Sequence, residues 1–349
     1  MDEHSRNKAL MQPLFAAMRD FDEARVRSVL AQVLAPDTPV RLAHPLGELA
    51  GPDAFFDRAL APLFRAIPDL ERRDWIIMAG RTAEGADWVG AGGHYVGTFT
   101  APWLDIPPTG HFVHMRFHEF YRIENGRVAE IQAIWDIPEL MMQANAWPLA
   151  PSLGREMFVP GPATQDGLVP GPWDADRAEA SCRRVLDMLD HLTRHPKQGG
   201  PEVMEMERFW HPRMNWYGPA GIGTARGIEG FRNWHQIPFL NAMPDRGAHN
   251  DELVFHFFGD GDYAAVTGWP NMKQTITCGG WLGIAPAGQT VTMRSLDFWR
   301  IENGLIRENW VLVDLLDLYA QVGIDVLARL REFNKARNLA PLALKGGRP

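Results

Sequence analysis

The stretch FYRIENGRVAEIQAIWDIPELMMQ, Phe120 to Gln143, returns 178 residues later as FWRIENGLIRENWVLVDLLDLYAQ, Phe298 to Gln321. The pentapeptide RIENG is identical in both, at Arg122–Gly126 and Arg300–Gly304. The same offset of 178 carries WLDIPPTG, ending at Gly110, onto WLGIAPAG, ending at Gly288. Further upstream the offset is 176, where GPDAFF from Gly51 matches GIEGFR from Gly227 and Ile67-Pro68-Asp69 matches Met243-Pro244-Asp245. Matches that keep their order while the offset drifts by two residues mark an internal duplication.

The join between the copies is visible too. Pro151 to Trp173 contains five prolines, four glycines and no apolar periodicity, which reads as a linker partly extended by its prolines. The chain divides into a first domain at 1–150, a linker at 151–173 and a second domain at 174–345. The last helix is expected to run on from Leu315 to about Asn338. A length of 349 residues, about twice the commonest domain size, agrees with that division.

Composition narrows the class. With 13 Trp and 18 Phe, disorder as the main state is excluded, because so many large rings need burial. A net charge of −8 without any basic run argues against nucleic-acid and anionic-membrane partners. Cys182 and Cys278 form no ligand pair or disulfide framework, and no apolar run is long enough to span a bilayer. A soluble, cytoplasmic protein is the expectation.

Local patterns are consistent between the copies. Ala178, Cys182, Val185, Leu189 and Leu192 fall on one helical face, and Leu10 to Leu34 occupies the same place in the first copy. A shorter helix follows near Asp53–Phe64 and near Glu229–Leu240, with Pro62 and Pro238 interrupting its hydrogen bonding. The chain then reads as strands: 75–78, 87–99, 112–123 and 128–135, and again 253–258, 263–275, 290–301 and 305–313. Asn125-Gly126 and Asn303-Gly304 predict type I′ hairpin turns. The fold class is α+β.

The combined pattern resembles the SnoaL-like polyketide cyclases of the NTF2-like superfamily. It is carried by DIPPTG, FYRIENGRVAE, Asp136 and Gln143 in the first copy, and by GIAPAG, FWRIENGLIRE, Trp310, Asp314 and Gln321 in the second. The resemblance implies two tandem cone-shaped domains, each a curved, mostly antiparallel sheet wrapped on N-terminal helices around an apolar pocket. It also implies cofactor-free proton transfer by side chains and sheet-to-sheet dimerisation, which a tandem chain would satisfy as an intramolecular pseudo-dimer, with a homodimer as the further association to consider. The resemblance places the family's catalytic aspartate seven residues after the hairpin glycine. Ala133 and Val311 stand there, and neither takes a proton.

Strand alternation supplies the candidates. Val113, Met115, Phe117, Glu119 and Tyr121 share one face, as do Val291, Met293, Ser295, Asp297 and Trp299. These are the more apolar faces and are expected to line the interior. Each carries one carboxylate at the equivalent place, Glu119 and Asp297, where the resemblance implies a pocket histidine. Desolvation among apolar neighbours should raise such a carboxyl's pKa toward neutrality. The plainer role is an ion pair with an arginine.

Other residues complete the set. His94, within GGHYVG, is expected to reach the cavity as a third catalytic group. His114 and His118 stand ~13 Å apart along an extended strand, too far to share an ion, so neither metal nor cofactor is expected. Asp136 and Asp314 read as helix N-caps before chemistry. Trp135 and Tyr121, with Trp299, Asn309, Trp310, Trp269 and Tyr217, are candidate pocket or seam residues. The functional expectation is cofactor-free acid–base chemistry of the cyclase, isomerase or dehydratase type on a small hydrophobic or polyketide-like molecule. The alternative is a non-catalytic hydrophobic-ligand or scaffold protein.

Overall fold

The computed structural model describes residues 2–277, 279–285 and 288–335, so Cys278 and any helix beyond 335 lie outside the described residues. The repeat is realised as two six-stranded sheets. The first comprises β1 (Pro39–Leu42), β2 (Glu48–Ala50), β3 (Glu71–Arg81), β4 (Asp87–Thr98), β5 (Phe112–Glu124) and β6 (Arg127–Trp135), in the order β2-β1-β6-β5-β4-β3. The second draws on β7 (Trp210–Tyr217), β8 (Thr224–Arg226), β9 (His256–Asp260) and β10 (Tyr263–Thr267). A two-stranded ribbon of β11 (Met272–Thr275) and β12 (Thr290–Met293) follows, and β13 (Ser295–Glu302) and β14 (Leu305–Val313) complete the sheet in the order β8-β7-β14-β13-β10-β9. Pairing is antiparallel except for β1 with β6 and β7 with β14.

The two hairpins form where Asn-Gly predicted them. Asn125 and Gly126 have φ of 52° and 70°, Asn303 and Gly304 have 52° and 75°, and these are the positive angles a type I′ turn requires. The short helix of each half is continuous through its proline because the preceding turn widens. Phe56–Leu60 and Arg232–Gln236 are π-helical, with Ala61 N–H donating to Phe56 and Ile237 N–H to Arg232. The π turn accommodates a proline that donates no hydrogen bond.

Three differences from the sequence reading have local causes. The run 263–275 is split, because Asn271 turns its side-chain amide onto the backbone of Ser295, accepting from its N–H at 2.8 Å and donating to its carbonyl at 2.7 Å. The final helix ends at Gln321, and a separate helix, Val326–Phe333, starts at Asp325, whose carboxylate accepts from Ala328 N–H. Segment 151–173 contains no helix or strand, yet it is bonded to both halves. Ile77 N–H donates to Gly167 O and Trp310 Nε1 to Pro160 O, each at 2.9 Å.

Each sheet buries one face on its own helices. The opposite faces meet, with Ile76, Met78, Trp88 and Phe120 packed against Phe258, Phe298, Trp310 and Leu312. Phe120 and Phe298, related by the repeat itself, stack with ring centroids 5.0 Å apart. Gly80 lies against Gly259, where an added Cβ would come within 2.6 Å of the facing carbonyl, so glycine is required for the approach. Polar groups cross the seam in matched fashion: Asp136 accepts from Ala220 N–H and Asp314 from His44 N–H, both at 2.9 Å. No helix among the described residues is long and apolar enough to cross a membrane.

The stacked pair makes a direct test. Phe120→Ala and Phe298→Ala should each lower stability by about 3–5 kcal/mol. Because the rings touch, the double variant should lose less than the sum, measured by urea unfolding.

Candidate functional site

The two equivalent carboxylates have opposite surroundings. In the first half, Glu119 is buried on the helix-facing side of β5 and every lone pair is engaged. Arg72 Nη1 lies 2.5 Å from Oε2, Tyr121 OH donates to the same oxygen at 2.5 Å, and Tyr95 OH and Trp135 Nε1 donate to Oε1 at 2.8 and 2.9 Å. The Arg72 guanidinium is itself sandwiched, 4.4 Å from the Phe15 ring centroid and 4.1 Å from that of Phe117. Burial pushes the Glu119 carboxyl up, but the Arg72 charge and the hydrogen bonds outweigh it and hold the pKa below its ordinary value. Glu119 is therefore a fixed anion within a filled interior. The raised pKa expected for it from the sequence does not occur, because strand β3 delivers a cation to its side.

Asp297 is different. It lines a cavity of about 70 Å³ in the second half together with Trp216, His235, Arg246, Trp299 and Asn309. Its close hydrogen bond is from the Ser295 hydroxyl at 2.5 Å. Burial raises its pKa to about 7, the Ser295 hydrogen bond and the more distant Arg246 charge offsetting only part of the desolvation. The register explains the placement: Asp297 pairs across strands with Val311, as Glu119 pairs with Ala133. The carboxylates thus stand one strand over from the position where the resemblance expects an aspartate, on the same face and within side-chain reach.

The inner cavity adjoins a larger groove of about 310 Å³ that includes Leu186, Phe255, Phe257 and Lys273. Leu189, Arg246 and Met272 line both spaces and form the boundary between them. His235 is stacked on Trp216 at 4.0 Å, and burial lowers its pKa to about 3, so it is a neutral imidazole. Among the described residues its Nδ1 and the indole N–H groups of Trp210 and Trp299 have no protein partner, although all three residues line the cavity.

Several sequence candidates fall elsewhere. His94 pairs with Arg116 in the β4–β5 register, and its ring lies with Trp75, His114 and Phe158. It therefore sits on the face opposite Tyr95 and Glu119, and does not share a cavity with them. His94, His114 and Glu139 do bring ligand atoms within 4.8 Å of one another, a grouping that spacing along one strand missed. Trp75 Nε1–H, however, donates to His94 Nδ1 at 3.1 Å. Burial holds that ring neutral, with a pKa of about 3. Its one proton is then on Nε2, the tautomer opposite to a metal ligand bound there.

Trp310 alternates away from Asn309 and stacks on Tyr217 at 5.5 Å in the seam, so it is not part of the Asp297 cavity. Trp269 lies under the Arg294 guanidinium at 4.6 Å. Asp314 caps its helix through Asp317 N–H, whereas Asp136 makes no capping bond and spends its carboxylate on Ala220 and Arg116. Trp135 and Tyr121 serve Glu119; Trp299 and Asn309 line the cavity. Ser295 and Arg246 were absent from the sequence candidates. Ser295 shares the Asp297 face, and Arg246 directly follows the second Pro-Asp corner, so both carried a readable signal.

Comparison with known proteins agrees with the repeat. The family model described as SnoaL-like polyketide cyclase matches residues 14–144 and again 200–322. Among solved structures, AclR from Streptomyces galilaeus, a hydroxylase by assignment only, is 21% identical over 43% of this chain and 87% of its own, with a TM-score of 0.35. A protein from Jannaschia sp. CCS1, assigned as a SnoaL-like polyketide cyclase, is 21% identical over 41% of this chain and 93% of its own, with a TM-score of 0.34. IdmH from Streptomyces antibioticus, assigned as a polyketide cyclase, is 19% identical over 41% and 99%, with a TM-score of 0.34. No curated protein matches the chain.

The contrast between the carboxylates is measurable. Arg72→Met strands the buried Glu119 charge and should cost about 3–5 kcal/mol in urea unfolding. Asp297→Asn should behave oppositely. Its folded pKa of about 7 lies above the ordinary value of 3.8, so ionising Asp297 opposes folding, a penalty absent below about pH 4 and complete above about pH 7. The variant's stability relative to the native chain should therefore rise with pH across that window, by at most about 1.4 kcal/mol per pH unit.

Proposed function

Both halves of this chain belong to the SnoaL-like polyketide cyclase family, and from that premise we propose that the second half carries cofactor-free acid–base chemistry while the first serves as its folded support. The carrying observation is Asp297, a carboxyl titrating near neutrality on the wall of an apolar cavity. A group with a pKa of about 7 is present in both protonation states at neutral pH, so it can take a proton from carbon and return it to a neighbouring atom. Glu119, held ionised by Arg72, has no such freedom.

The reaction class is abstraction of a proton next to a carbonyl, followed by ring closure, isomerisation or elimination. The substrate is a small hydrophobic or polyketide-like molecule. The unpartnered N–H groups of Trp210 and Trp299 are suited to the carbonyl oxygen, whose charge grows as the proton leaves. At about 70 Å³ the inner cavity holds only the reacting end, and the groove of about 310 Å³ takes the remainder. The seam around Phe120 and Phe298 is read as the family's sheet-to-sheet contact made within one chain.

Exchange of α-protons in short β-keto esters in deuterium oxide tests the reading. Asp297→Asn should slow exchange at least ~100-fold, the usual worth of a positioned acid–base group. Glu119→Gln should leave the rate per folded molecule within a few fold. A carbon-13 titration of the Asp297 carboxyl should show a midpoint near 7. A midpoint below 5, or exchange unaffected by Asp297→Asn, would leave a non-catalytic binding pocket as the function.

A further inference from the structure

Resting on the reading of the second-half cavity as the active one, we infer that its ligand carries a carboxylate that docks on Arg246 at the junction of the inner cavity and the outer groove. The argument begins with the two arginines. Arg72 follows the corner Ile67-Pro68-Asp69, and Arg246 follows the equivalent Met243-Pro244-Asp245. Each acts on the charge of the interior carboxylate of its own half, but at different range. Arg72 closes on Glu119 at 2.5 Å and the space between them is gone. Arg246 makes no hydrogen bond or ion pair with Asp297, or with any other group, among the described residues. Its guanidinium carbon stands 5.5 Å from the Phe239 ring centroid, and its charge reaches Asp297 only through space.

Arg246 is half-buried, and its guanidinium has no protein partner among the described residues, so an anion entering the groove would meet a charge that only water now answers. Burial lowers the Arg246 pKa to about 10, which still leaves the cation charged at neutral pH. The side chain therefore presents an unanswered positive charge and a fork of donors to the two spaces it borders.

The surroundings select the anion. Lys273, the other cation of the groove, is already engaged by Glu252. With one cation unpaired among the described residues of the lining and the Asp297 carboxyl nearby, a monoanion fits better than a phosphate dianion. Phe255, Phe257 and Leu189 supply an apolar wall for the body of the ligand. A flat hydrophobic acid satisfies both requirements. Its carboxylate would stand where the Glu119 carboxylate stands relative to Arg72 in the first half.

The probes are 2-naphthoate and its neutral isostere 2-naphthamide, titrated calorimetrically into the full chain. The native protein should bind naphthoate at least tenfold more tightly than naphthamide. Arg246→Gln should reduce that ratio to about one while leaving naphthamide affinity within twofold, which also shows that the groove is still folded. Arg246→Lys should restore part of the preference. Equal affinities in the native chain, failure of naphthoate to bind, or a preference surviving Arg246→Gln would overturn the inference. The acid–base reading fails by a different measurement: Asp297→Asn should keep the naphthoate preference while losing proton exchange.

Discussion

Strands β5 and β13 are covered on both faces, by helices on one side and by the other half's sheet on the other, and this double burial governs what every residue on them can do. On a strand with one wet face, alternate side chains are free to be charged. Here the outward residues include Arg116, buried and donating to the carbonyls of Tyr217, Gly218 and Val311, His118, which shares a hydrogen with Leu296 O at 2.6 Å, and the stacked pair Phe120 and Phe298. A carboxylate on the inward face is largely screened from bulk water, so it is either paired with a cation or has its pKa raised. The chain contains one instance of each outcome.

The duplication supplies the comparison that makes this clear. The same strand position, the same cross-strand partner row and an arginine after the same corner recur in both halves. What differs is the segment bearing the arginine. Residues 71–81 of the first half form one long strand, bulged between Asp74 and Ile76, that carries Arg72 across to Glu119. In the second half the chain after Arg246 runs through turns and a short 3₁₀ segment before β9 begins at His256. Arg246 is therefore held at the cavity edge, and an open space remains where the first half has an ion pair.

Legibility followed periodicity. The hairpins, the inward face of β5 and β13, and the equivalence of Glu119 and Asp297 were all readable, because alternation along a strand depends only on residue parity. Residues whose role depends on a distant segment were not. The glycines beside His94 suggest access to the cavity, but its pairing with Arg116 turns it to the outer face. Trp310 and Asn309 are adjacent, so they cannot share a pocket on one strand, and parity alone would have separated them. The short strands β1, β2 and β8 carry too little pattern in three or four residues to be legible, and in β7 the exposed pair Pro212 and Arg213 interrupts the alternation.

By itself, then, the sequence determined the duplication, the α+β class, the turns and the two inward carboxylates, since each is encoded in local spacing that any extended strand must obey. Only the tertiary structure decided that Glu119 is held ionised by an arginine and that Asp297 is left without an ion pair. That difference lies in how far Arg72 and Arg246, remote in the chain from their carboxylates, are allowed to approach them. Electrostatic coupling falls with distance and with access to water, and neither is written in the order of residues.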